Sequence, residues 1–91
     1  MNKQQEEILR ILQEECGEVV QMISKCCRFG LDETHLKAGE PNRQRLTEEL
    51  GDLQCMLDLA VSKGIVSRVG LDVAAFNKIE KLKTWSNIFK E

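Results

Sequence analysis

Proline occurs once in this 91-residue chain, at Pro41, and tyrosine does not occur at all. Four aromatic side chains, Phe29, Phe76, Trp85 and Phe89, complete the set. A core without many rings has to be assembled from Leu, Ile, Val, Met and Cys, which suits helices packed on helices. Turn clusters are few and no β-rich alternating run is present, so the chain reads as all-α. No apolar run approaches the roughly 18 residues needed for a membrane span. The opening MNKQQEEILRIL lacks the continuous apolar segment of a signal peptide. Acidic and basic residues are interspersed at a net charge of −2. No basic stripe with interleaved aromatics is present, which excludes a nucleic-acid binder. Histidine appears once, at His35, and Cys16, Cys26, Cys27 and Cys55 form no CxxC pair. That pattern argues against zinc. The four thiols are expected to be free and to serve as small apolar residues in a reducing cytoplasm.

Apolar residues make up 42% of the chain, enough for a core. The length fits one domain, residues 1–91, near the small end of what folds alone. A small helical domain buries a modest fraction of its surface, so an antiparallel helical bundle completed by oligomerisation is expected.

Three helices are legible. The first runs from about Lys3 to Arg28, with Ile8, Leu12, Val19, Met22 or Ile23, and Cys26 recurring at the three- and four-residue steps of one buried face. Phe29-Gly30 ends it, the glycine serving as C-cap. Leu31 to Pro41 reads as a loop able to fold over a ligand, and His35 within it is given no catalytic part. Asn42 is the expected N-cap of a second helix from about Arg43, whose buried row is Leu46, Leu50, Leu53, Leu57 and Ala60. Ser62-Lys63-Gly64 closes that helix. A third, from Leu71 or Asp72 to Trp85, has Ala75, Ile79 and Leu82 as its apolar row, with Trp85 packing at the core's edge.

Two stretches do not serve helix stability. EECGEVV (Glu14 to Val20) and EELGDL (Glu48 to Leu53) each gather carboxylates around a glycine inside a helix. A mid-helix glycine costs about 1 kcal/mol relative to alanine. Glu15 falls in the first helix's apolar row with Glu18 three residues on, and Glu49 falls in the second's with Asp52 three residues on. Residues at that spacing point the same way. Packing the two helices therefore brings both pairs face to face in a partly dehydrated groove. At an effective dielectric near 20, each like-charge contact there costs several kcal/mol. A divalent cation offsets that cost. Oxygen-only ligands select Mg²⁺, with Mn²⁺ as a substitute, over zinc or copper. Gly17 and Gly51, lacking Cβ, are expected to permit close helix approach or to admit a ligand.

With Val19-Val20-Gln21, Ser24 to Gly30, and Asn42-Arg43 leading into Leu46 to Leu53, these clusters resemble the EExxE…ExxD signature of MazG-like all-α nucleoside triphosphate pyrophosphohydrolases. The likeness covers about residues 5 to 62, and beyond Val66 only the lysine-bearing last helix is similar. It implies hydrolysis of (deoxy)nucleoside triphosphates to monophosphate and pyrophosphate. It also implies a magnesium site made by Glu15, Glu18, Glu49 and Asp52. Glu14 matches the first glutamate of the signature and is a candidate for orienting the attacking water, acting as base or holding a second metal. Lys78 and Lys81, with Asn77, are implied substrate-binding residues on the last helix. Lys25 and Arg28 are further candidates for phosphate, although cations there also suit the C-terminal end of a helix dipole. A homodimer or homotetramer with sites near subunit interfaces is expected, since the resemblance implies that the fourth helix of many relatives is reduced or missing here. A dUTPase-like or phosphoribosyl-ATP pyrophosphatase activity fits the flanking residues less well. Outside the enzyme class, the alternative is a non-catalytic helical dimer that acts as an adaptor or binds nucleotide without turnover.

Overall fold

The computed structural model describes residues 1–34 and 39–90, and His35 lies outside them. The described chain is all-α, with α1 over Lys3–Phe29, α2 over Asn42–Ser62 and α3 over Arg68–Trp85. Helix α1 begins in a capping box that the sequence reading overlooked. The Asn2 side chain accepts from Gln5 N at 2.7 Å, and the Gln5 side chain accepts from Asn2 N at 3.1 Å. Two of the amide donors exposed at a helix start are thereby satisfied. Glu6 and Arg10, four apart, add an ion pair at 2.8 Å one turn later. Gly30 stops the helix as expected, at φ 98, its N–H donating to Cys26 O.

The start of α2 departs from expectation. Asn42 is not the cap but the first helical residue, and it is almost fully buried. Its N–H donates to Glu33 O and that of Arg43 to Leu31 O, both at 2.8 Å. The connector's carbonyls thus satisfy donors that a cap side chain would otherwise serve. Freed from capping, the Asn42 side chain donates from Nδ2 to Gly30 O at 3.0 Å and ties α2 to the end of α1. At the other end, Gly64 at φ 74 closes α2. Ile65 N donates to Ala60 O and Gly64 N to Val61 O, the paired bonds of a Schellman turn.

Helices α1 and α2 pack as an antiparallel hairpin, bonded at one end from Gln5 to Lys63 O and at the other through Asn42. Ile8, Met56 and Ala60 form the core, with Leu12 and Ile65 against them; Val19 and Met22 are buried farther along α1. Met56 was absent from the expected row. Leu50, which was in it, is exposed, because its row rotates past the α1 contact. Ile23 is exposed as well, leaving Met22 to hold that turn of the face. The cysteines are free, but only Cys26 is even half-buried, so Cys16, Cys27 and Cys55 are not core residues.

Helix α3 starts three residues before the expected Leu71. Ser67 Oγ, not Asp72, accepts at its N-terminus, from Gly70 N at 3.1 Å. The helix barely touches the hairpin; Arg68, at its start, donates to Asp58 Oδ1 at 2.7 Å. None of its residues is buried. Ile79 and Trp85 are therefore exposed, against expectation, because a helix with no layer beneath it has nowhere to bury them. The extents of 41 × 37 × 14 Å agree. A 27-residue α1 is about 40 Å long, while two helices side by side, about 10 Å apart, fill only part of the second dimension. Helix α3, about 27 Å long, supplies the remainder by running out sideways.

Candidate metal centre

Midway along the hairpin the apolar seam is interrupted by acids. On α1, Glu15 stands between Leu12 and Val19; on α2, Glu49 and Asp52 stand between Leu46 and Met56. Each of the three offers a carboxylate oxygen, and these oxygens all lie within 4.8 Å of one another. Among the described residues no other group of histidine, cysteine or carboxylate side chains converges in this way. Glu15 and Glu49 are half-buried and Asp52 is exposed, so the cluster sits at an opening in the seam.

The electrostatics show how little this trio compensates itself. The Glu15 carboxyl is held above its ordinary range, first by removal from water and then by the charges of Asp52, Glu49, Glu18 and Glu14. The described ion pairs join Arg10 to Glu6, Arg43 to Asp32, Arg68 to Asp58 and Lys83 to Glu80; none involves a member of the trio. A divalent cation would balance these charges. Ligand oxygens around an octahedral Mg²⁺ stand about 3–4 Å apart, so side-chain adjustments below about 1 Å would close the trio on such an ion. The donor set, all hard oxygen, fits Mg²⁺ or Mn²⁺.

The other expected site residues divide into two groups. Glu14 and Glu18 are exposed on α1 and lie close enough to raise Glu15, but Glu18 is not a member of the converging trio. Lys25 is half-buried near the end of α1, and the Arg28 guanidinium lies 4.8 Å from the centre of the Phe29 ring. Asn77, Lys78 and Lys81 are exposed on α3, the helix that leaves the hairpin, and the structure does not bring them to the acids. The glycines beside the acids are not sites of close helix approach. A Cβ built on Gly17 or Gly51 meets nothing within 4 Å, so of the two expected roles only admission of a ligand is compatible with the space.

An all-α hairpin with convergent carboxylates at its seam defines a candidate oxygen-ligand cation centre. The sequence matches the MazG nucleotide pyrophosphohydrolase domain over residues 3–84, and the chain belongs to that family. The matched span contains the whole hairpin and nearly all of α3. No curated protein and no solved structure matches the chain. No helix among the described residues is long and apolar enough to cross a membrane.

Proposed function

We propose that the chain hydrolyses (deoxy)nucleoside triphosphates to nucleoside monophosphate and pyrophosphate, using Mg²⁺ or, in its place, Mn²⁺. One observation carries the reading: Glu15, Glu49 and Asp52 converge at the seam with no cation among the described ion pairs to balance them. These three carboxylates would hold the ion, and Glu18, on the same side of α1, would join them through a change of rotamer. When bound, such an ion neutralises polyphosphate charge and makes a coordinated water more acidic.

The chain's own groups supply orientation and proton transfer. Water attacks the α-phosphorus, the bond from that phosphorus to the oxygen bridging to the β-phosphate breaks, and pyrophosphate leaves with the bonding pair. Glu14, exposed and next to Glu15 in the sequence, is our candidate to accept the proton that water loses. In displacements of this kind, positioning and charge stabilisation supply most of the rate. Lys78 and Lys81 are candidates for the β- and γ-phosphates, and Asn77 for the sugar or base. Lys25 and Arg28 are secondary candidates for phosphate. Because α3 leaves its own hairpin, its residues require a homodimer or homotetramer to meet a carboxylate trio. Four free cysteines fit a reducing compartment, and we place the enzyme in the cytoplasm.

The test is release of pyrophosphate from a panel of ribo- and deoxynucleoside triphosphates and phosphoribosyl-ATP, and of phosphate from dUDP, with and without Mg²⁺. Turnover that needs the ion and disappears in Glu49→Gln and Asp52→Asn supports the reading. Metal-dependent nucleotide binding with neither pyrophosphate nor phosphate released from any substrate points instead to the non-catalytic helical dimer.

A further inference from the structure

The most deeply buried polar side chain is one that stability alone would not choose. Asn42 is 1% exposed, and among the described residues no other polar or charged residue is buried. Its Nδ2 donates to Gly30 O at 3.0 Å, but its Oδ1, buried as well, has no hydrogen-bond partner among the described residues. Turning the amide over would set Oδ1 against the Gly30 carbonyl oxygen, so the bond and the orphaned acceptor come as a pair. An unpaired buried oxygen is destabilising, and an apolar side chain of the same branching would avoid it. Fixing one helix pairing against its competitors is the best-attested use of such a group.

The hairpin needs such a key. Apolar positions recur every three or four residues on both helices, so sliding α2 by one turn, about 5.4 Å, sets apolar against apolar again. The connector, residues 30–41, is long enough to permit that slide. The bonds from Asn42 N to Glu33 O and from Arg43 N to Leu31 O reach this connector, not α1 itself, and the Arg43–Asp32 pair is exposed. At the opposite end the bond from Gln5 to Lys63 O is exposed too, where water can replace it. Gly30, by contrast, is fixed to α1 through its own N–H, which donates to Cys26 O at 2.8 Å. The Asn42 amide therefore supplies the buried hydrogen bond that selects one register.

We propose that Asn42 is a positioning residue whose amide fixes the α1–α2 register that sets Glu49 and Asp52 level with Glu15. The lengths agree. Cys26 Sγ lies 3.9 Å from Asn42 O, which marks the level of the key on α1. From Cys26 back to Glu15 is about 16 Å along α1, and from Asn42 on to Asp52 about 15 Å along α2. Two nearly equal arms thus run from the amide to the acids. A one-turn slide exceeds the 4.8 Å within which the three carboxylate oxygens lie, and it carries the trio apart. The purpose of the register rests on the metal-centre reading above, whereas the register itself does not.

Methyl nuclear Overhauser contacts among Ile8, Met56 and Ala60 report the pairing in the ion-free chain, and calorimetric titration with Mg²⁺ alone reports the trio. Asn42→Leu is expected to melt no lower than the parent chain, yet to show a second set of contacts across the seam. Its Mg²⁺ affinity should fall by the inverse of the fraction still in the parent pairing, about twofold when half the chains have slipped, and saturating Mg²⁺ should restore the single set. Ile8→Ala, which weakens the core without touching the amide, should melt lower but keep both the parent register and the parent affinity. Should Asn42→Leu not fold, Asn42→Ala, which overfills nothing, carries the same two readings. One parental set of contacts in the Asn42 variant would overturn the proposal, and so would slipped contacts with unaltered affinity. Unfolding of both Asn42 variants where Ile8→Ala stays folded would make the residue a structural one and overturn it as well. A parent chain that binds no Mg²⁺ would sink the metal centre and the levelling of its acids, while the seam contacts would still decide the register.

Discussion

The hairpin and α3 are made from similar residues and end up in opposite conditions. In the hairpin, apolar positions find a partner helix, and the acids that interrupt them are the anomaly. In α3 the apolar positions find no partner, and the burial itself is missing. Periodicity tells which side of a helix wants cover, but only a neighbour converts that preference into stability. The hairpin is therefore self-sufficient apart from its charge, whereas α3 is self-sufficient only in its cap.

Four measurements sharpen or break this contrast. The largest effect is expected at the seam, where Asp52→Asn should lower ion-dependent turnover on the order of 10³-fold, about 4 kcal/mol of transition-state stabilisation. Steady-state kinetics at saturating Mg²⁺ checks it, and a variant within a few-fold of the parent chain would remove Asp52 from the site. Next in size, Met56→Ala should cost about 2–4 kcal/mol in urea unfolding at every protein concentration, because its side chain fills the hairpin core. Phe76→Ala should instead destabilise only at concentrations where the chain is assembled. Equal and concentration-independent losses at both positions would erase the distinction between hairpin and α3.

A smaller effect is expected from pH. Because burial and neighbouring acids raise Glu15 in the folded chain, the ion-free fold binds a proton more tightly than the unfolded chain does. Stability should then rise as pH falls from neutral through the raised value toward the ordinary glutamate range, and be lost again on the way up. Thermal melting in chelator across that window checks the sign. Saturating Mg²⁺, which binds the charged form, should flatten the gain, and Glu15→Gln should abolish it. The smallest change expected is from Gly17→Ala, a stabilisation of about 0.4–1 kcal/mol, since helical geometry is kept and a Cβ meets open space. If turnover falls while the melting temperature rises, the glycine's place beside Glu18 serves a ligand.

Much of the hairpin was legible beforehand. Ile8, Leu12, Val19 and Met22 repeat with helical period, and Gly30 and Gly64 stop their helices where a left-handed backbone is needed. Glu15 and Glu49 share those rows and Asp52 stands at the margin of the second, and the hairpin brings these three carboxylates together. What the pattern could not carry was anything set by a neighbour's position. Asn42 is a sound cap by residue type, but the connector's carbonyls reached the amides first. Leu50 and Met56 exchange places through a modest rotation of α2. Glu18 has the right spacing, yet whether its carboxylate joins the trio depends on side-chain rotation, which spacing does not specify. On α3, Ala75, Ile79 and Leu82 form a genuine row, but no sequence pattern states whether the covering surface belongs to the same chain.

The interruption of the seam by acids has a consequence for cooperativity. Without an ion, the hairpin is two short greasy contacts, one near Ile8 and Met56 and the other near Val19 and Met22, separated by a stretch whose charges push its two helices apart. Each half could then breathe without the other. A cation seated between them would act as a rivet, so the ion proposed for the chemistry would also make the two ends open and close as one.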